Sequence, residues 1–76
     1  MNSDLDVFRK RLRILIANSN LGTYEFAYSL EIGYETLRKW LKGESSPITS
    51  NLIRLCKQYN VSADWLLGLK DSDDEQ

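Results

Sequence analysis

Residues 23–43 read TYEFAYSLEIGYETLRKWLKG, the most informative segment of the sequence. Apolar side chains recur on both sides of Gly33 at the three- and four-residue spacing that lines one face of a helix. Gly43 follows the last apolar residue, at the position where glycine favours the end of a helix. The stretch therefore predicts two short helices, over residues 23–30 and 34–42, joined by a tight turn.

Three more helices are predicted outside this pair. Residues 5 to about 17 carry an amphipathic stripe, and residues 49–59 carry another. Ser62 is placed to cap a last short helix that Gly68 closes. Since no segment shows the alternating pattern of a strand, the sequence predicts an all-α domain of five helices. The side chains expected in its core include Leu37, Trp40, Leu52, Ile53, Leu55, Cys56 and Trp65.

The composition excludes several classes of protein. A chain of 76 residues and 8.8 kDa has room for one small domain. With no histidine and one cysteine, Cys56, it can form neither an ordinary zinc site nor an internal disulfide, and histidine-based catalysis is excluded. No apolar run approaches the roughly 20 residues of a membrane span, and the first residues are too acidic for a secretion signal. We expect a cytoplasmic module without cofactor or metal, and no enzyme.

The charge is distributed unevenly along the chain. Residues 71–76, DSDDEQ, hold four of the eleven acidic residues, whereas residues 1–70 hold ten basic and seven acidic residues, a net charge of +3. We expect residues 1–70 to form the folded domain and residues 71–76 to form a disordered acidic tail. The mildly basic body is compatible with nucleic-acid binding.

The predicted helix pair and its flanks resemble the lambda repressor/Cro family, also called the Xre-type helix-turn-helix family. The resemblance runs without gaps from about residue 9 to residue 70. It rests on Phe26, Ala27, Leu30, Ile32, Thr36, Leu37, Lys39, Trp40, Gly43 and Pro47, and on residues 11–15, 51–55 and 61–68. It implies a lambda-repressor-like DNA-binding domain of five helices, with the helix-turn-helix at helices two and three over residues 23–42.

The resemblance places the third helix in the major groove of DNA, with its N-terminal residues facing the base edges. The residues expected to contact bases are Tyr34, Glu35, Arg38 and Lys39. Glu35 can accept a hydrogen bond from a cytosine amino group, and Arg38 or Lys39 can donate to guanine. Tyr34 can pack on a thymine methyl group or bond to a phosphate.

Other residues are expected at the DNA backbone. Thr23 stands where the family usually has glutamine, and its hydroxyl and the helix N-terminus can bind a phosphate. Lys42 and the loop residues Ser45 and Ser46 lie where family members hold the backbone. The first helix carries a basic cluster that either reaches the DNA or is a solvated face: Arg9, Lys10, Arg11 and Arg13.

Several residues depart from the family pattern. Glu35 brings a negative charge close to phosphates. Ile16 and Leu41 occupy positions where many members have an arginine–glutamate ion pair, so we expect these two side chains to touch. The family usually has charged or polar residues at the positions of Ile14, Tyr24 and Tyr28. If exposed in one patch, these three would form a protein–protein interface.

Three functions fit this sequence. The first is a sequence-specific transcriptional regulator, a Cro-like repressor of phage or prophage type, which binds operator DNA as a homodimer in a genetic switch. Its dimer surface is expected near residues 65–70. The second is a helix-turn-helix modulator that binds a partner repressor protein and alters its DNA binding. The third is the antitoxin of a toxin–antitoxin pair, with the acidic tail as ligand for the toxin.

Overall fold

Five helices account for most of residues 5–71, the part of the chain that the computed structural model describes. In chain order they are α1 (Asp6–Ser19), α2 (Thr23–Ser29), α3 (Tyr34–Lys42), α4 (Thr49–Tyr59) and α5 (Ala63–Leu66). No strand occurs among these residues, and the predicted all-α, five-helix fold is confirmed. Helix α1 continues two residues beyond its expected end. Of the predicted acidic tail, residues 72–76 lie outside the described residues.

All five helices contribute to one apolar core. Its largest members are Trp40 of α3, Phe8 of α1 and Phe26 of α2, each at most 2% exposed. The remaining buried side chains are Leu12, Leu15, Ala27, Leu30, Leu37, Leu55 and Leu66. Burying one large apolar side chain contributes about 1.5–3 kcal/mol, so this cluster is the main stabilising term of the fold.

The expectation that Ile53 is a core residue is wrong. Ile53 is 50% exposed, while Leu55 is fully buried and Leu52 and Cys56 are half-buried. Successive residues of a helix point about 100° apart, so a helix that buries Leu55 and turns Leu52 and Cys56 inward must turn Ile53 towards solvent. Trp65 packs at the edge of the core, with the Arg11 guanidinium 5.2 Å from its ring centroid.

The turn between α2 and α3 is closed by a left-handed residue, Glu31, with φ of 61°. The Glu31 amide donates to the carbonyl of Tyr28 at 3.0 Å, and the Ile32 amide donates to the carbonyl of Ala27 at 3.1 Å. These bonds satisfy the last carbonyls of α2. Gly33 then precedes α3 in an extended conformation, as its N-cap.

Helix α3 ends in the same type of motif. Gly43 has φ of 81°, its amide donates to the Trp40 carbonyl, and the Glu44 amide donates to the Lys39 carbonyl. A β-carbon added to Gly43 would lie 3.0 Å from Cδ of Arg9. Glycine is therefore required here both by the backbone conformation and by the closeness of α1.

Arginines of the α1 basic cluster donate hydrogen bonds to backbone carbonyls elsewhere in the domain. Arg9 Nε and Arg13 Nη2 both donate to the Leu41 carbonyl, at 3.1 and 3.0 Å, where α3 ends. Arg11 donates to the carbonyls of Trp65, Lys70 and Asp71. Backbone carbonyls thus engage Arg9 and Arg11 in part, while Arg13 keeps an exposed side chain. Whether the cluster reaches DNA or is a solvated face stays a prediction.

The predicted contact between Ile16 and Leu41 stays a prediction. Both side chains are half-buried, and both pack against the core.

Replacing Gly43 by alanine should destabilise the protein by about 1–2 kcal/mol, because an alanine in the left-handed conformation is strained and its methyl group would displace Arg9. Thermal or urea unfolding followed by circular dichroism measures the change.

Gly33→Ser is the matched control at the other end of α3. Gly33 is an extended N-cap whose added β-carbon meets nothing closer than 3.9 Å, and serine is a better cap than glycine. This variant should be neutral or up to about 1 kcal/mol more stable. Equal losses in both variants would contradict the argument from backbone conformation.

Candidate nucleic-acid interface

Helix α3 has a buried side and an exposed side. Leu37 is fully buried and Trp40 is 2% exposed, and through them α3 packs against α1 and α2. Glu35, Thr36, Lys39 and Lys42 are exposed, and Tyr34 and Arg38 are half-buried. All five α3 residues that the sequence analysis proposed as DNA contacts therefore have solvent-accessible side chains.

Glu35 and Arg38, two of the proposed base-reading residues, pair with each other. Arg38 Nη1 lies 2.6 Å from Glu35 Oε2, with the two side chains 37% and 67% exposed. An exposed pair at this helical spacing is typically worth about 0.3–0.5 kcal/mol. The pair therefore defines where the Arg38 guanidinium lies in the free protein. A ligand that separates Arg38 from Glu35 has to offset only this small interaction energy.

Tyr34 stacks on Tyr24. The ring centroids are 4.2 Å apart and the ring planes differ by 7°. Tyr24 is the second residue of α2 and Tyr34 the first residue of α3, so the stack joins the N-terminal ends of the two helices of the motif. Aromatic pairs of this kind contribute about 0.5–1.5 kcal/mol beyond the area that they bury.

The N-terminal end of α2 already has an anionic partner. Glu25 Oε1 accepts a hydrogen bond from the Gly22 amide at 3.0 Å, and the Glu25 side chain is exposed. Thr23 is half-buried and follows Gly22, whose amide donates to the Glu25 carboxylate. A phosphate approaching Thr23 would therefore meet a negative charge, which weakens the contact that the sequence analysis expected there.

Beyond α3, Ser45 is half-buried and Ser46 is exposed in the loop that leads to α4. Lys39 and Lys42 are exposed, and neither forms an ion pair with any residue of the described part of the chain. Their ammonium groups are thus available to an external anion.

Ile14, Tyr24 and Tyr28 are all exposed, at 46%, 71% and 85%, and the interface that they would form together stays a prediction. Tyr24 is in contact with α3 through its stack on Tyr34. That contact was missed by the sequence analysis, as was the capping role of Glu25. The spacing of residues within α2 does not reveal that Tyr24 meets the ring of Tyr34, which lies ten residues further along the chain.

Within residues 5–71, no group of three or more histidine, cysteine, aspartate or glutamate side chains could hold a metal ion. None of the helices in that range has the length and apolar character needed to cross a membrane.

The chain is similar to known proteins in both sequence and fold. Residues 24–66 match a family model described as helix-turn-helix. An uncharacterized HTH-type transcriptional regulator of Haemophilus influenzae is 36% identical over 61 residues, or 80% of this chain. The match covers 25% of that relative, so the chain spans about a quarter of its length. The solution structure of the SOS-response transcriptional repressor LexA from Eubacterium rectale superposes with a TM-score of 0.84 at 23% identity, over 99% of this chain and 80% of that one.

A double-mutant cycle tests how firmly Glu35 holds Arg38. With Glu35→Gln, Arg38→Gln and the double variant, the coupling energy from urea unfolding should be about 0.3–0.5 kcal/mol, because both side chains are exposed. Raising the salt concentration should lower it further. A coupling above about 1 kcal/mol would mean that Arg38 is fixed on Glu35 and is not free to bind another group.

Proposed function

The chain belongs to the helix-turn-helix family of the Xre and lambda Cro type, and from this premise we propose that it is a sequence-specific DNA-binding transcriptional regulator. Helix α3 enters the major groove of the operator, and the protein acts by binding, without catalysing a reaction. The resemblance of residues 9–70 to the Cro type favours a repressor of phage or prophage origin that works in the cytoplasm.

The observation that carries this proposal is the two-sided character of α3. Leu37 and Trp40 pack one side of the helix against the core. The other side faces solvent and carries Glu35, Lys39 and Lys42. A major groove about 12 Å wide admits an α-helix, and α3 presents its charged side outwards. This exposed side of α3 is what supports the proposal.

The proposed contacts follow from side-chain chemistry. Arg38 donates to guanine once it leaves Glu35, and the freed Glu35 carboxylate accepts from a cytosine amino group. Lys39 donates to a base or phosphate, and Tyr34 contacts a thymine methyl group. Three further residues hold the DNA backbone: Thr23, Lys42 and Ser45.

A homodimer on DNA is part of the proposal. A single small domain makes few contacts, whereas two domains on half-sites one helical turn apart reach useful affinity. The dimer surface is proposed near residues 65–70, where Leu67 and Leu69 are 39% and 72% exposed.

A partner-protein modulator is the second candidate. Two features of the described residues favour it: the ion pair that neutralises Arg38, and the Glu25 carboxylate at the start of α2. Both reduce the attraction of the motif for phosphates. In that case the exposed side chains of Ile14, Tyr24 and Tyr28 would contribute to the protein interface.

A salt titration separates the two candidates. For a regulator, the logarithm of the binding constant for duplex DNA should fall linearly with the logarithm of the salt concentration, with a slope of about −0.9 per phosphate contact. Fluorescence anisotropy with a duplex enriched from a random library measures it. The modulator would instead show no salt-dependent DNA binding, and tight binding to a second helix-turn-helix protein.

Removing single charges tests the residue assignment. Arg38→Ala and Lys39→Ala should each weaken binding to the enriched duplex by about 1–3 kcal/mol, and at least one should relax the preference for a base pair. Lys57→Ala is the matched control, because Lys57 is an exposed lysine on α4, outside the motif. A loss with Lys57→Ala as large as those with the α3 variants would contradict the assignment.

A further inference from the structure

We propose that Tyr24 is a positioning residue for base recognition: it fixes the ring of Tyr34 so that Tyr34 reads the 5-methyl group of one thymine. This inference rests on the proposed function and names one determinant of its sequence specificity. It assigns Tyr24 to the DNA-reading machinery rather than to the protein interface that its exposure suggested.

The geometry of the stack supports a positioning role. Tyr34 is the first residue of α3, so no preceding turn of its own helix restricts its rotamers. The Tyr24 ring covers one face of the Tyr34 ring at 4.2 Å and is nearly parallel to it. The stack therefore selects one orientation of Tyr34 before any DNA is bound.

The position of the stack within the motif links it to DNA. It joins α2 and α3 at their N-terminal ends, the ends at which a helix-turn-helix approaches the duplex. Tyr34 is half-buried, so part of the ring stays accessible although Tyr24 covers one face. Tyr24 itself is 71% exposed.

Thymine is the base that this arrangement favours. An oriented aromatic ring gains most from a contact with an apolar group, and the thymine methyl is the one apolar group on the base edges of the major groove. A ring held in one orientation does not lose rotamer freedom when it binds, so the gain from the methyl contact is retained. A mobile Tyr34 would read the same methyl group less selectively.

The experiment removes single methyl groups from the DNA. The wild-type protein enriches a duplex from a random library, and each thymine of that duplex is replaced in turn by deoxyuridine. At one thymine, the wild-type protein should lose about fourfold in affinity, the value expected for burying one methyl-sized group. Tyr34→Ala should lose this sensitivity, and so should Tyr24→Ala although Tyr34 is still present.

Two variants serve as controls. Tyr24→Phe keeps the stacked ring and should keep the sensitivity to deoxyuridine. Tyr28→Ala removes the tyrosine one turn further along α2, which is 85% exposed and takes part in no aromatic pair among residues 5–71, and it should also keep the sensitivity. Circular dichroism of each variant verifies that it is folded.

The outcomes are distinguishable. Full sensitivity to deoxyuridine in Tyr24→Ala, or no sensitive thymine in the wild-type protein, would overturn the inference while leaving a salt-dependent DNA-binding function intact. A Tyr34 contact to a phosphate would appear as insensitivity to deoxyuridine together with a loss of affinity when that phosphate is replaced by methylphosphonate, and it would overturn the thymine assignment. If no duplex is enriched, the result contradicts both the inference and the proposed function.

Discussion

The packing of Trp40 and Leu37 against α1 and α2 decides which side of α3 faces solvent. Both side chains are buried, and rotating α3 about its axis would expose one of them and bury a charged neighbour. Exposing a large apolar side chain costs about 1.5–3 kcal/mol, and burying an unpaired lysine costs more. The core therefore fixes the orientation of α3, and the exposed residues of that helix form a defined surface.

The positive charges of α1 strengthen this orientation. Arg9 and Arg13 both donate to the carbonyl of Leu41, close to the negative end of the α3 dipole. In this chain, where apolar Ile16 and Leu41 stand in place of a side-chain ion pair, the charged link between α1 and α3 runs from guanidinium groups to the backbone. The lysines of α3 are left without an internal partner among the described residues, and a phosphate backbone can use them.

The parts of the fold that the sequence predicts are those encoded by neighbouring residues. The bounds of α3 and α4 follow from an apolar stripe and a left-handed exit at Gly43 or Asn60, which are local signals. Ile53 is misplaced because residues 52, 53, 55 and 56 are all apolar, and the packing of α4 against the other helices decides which of them face inward. The Tyr24–Tyr34 stack and the use of Arg9 depend on distances between helices, and no local pattern encodes them.

The most direct test of this account is an NMR titration of the labelled protein with the enriched duplex, following every backbone amide. If the side of α3 opposite Trp40 is the binding surface, the largest shift changes will lie at residues 34–42 and at the start of α2, with the outer face of α4 around Ile53 and Lys57 unaffected. The account would be contradicted if the changes centred on α4, or if α3 remained unperturbed at saturating DNA.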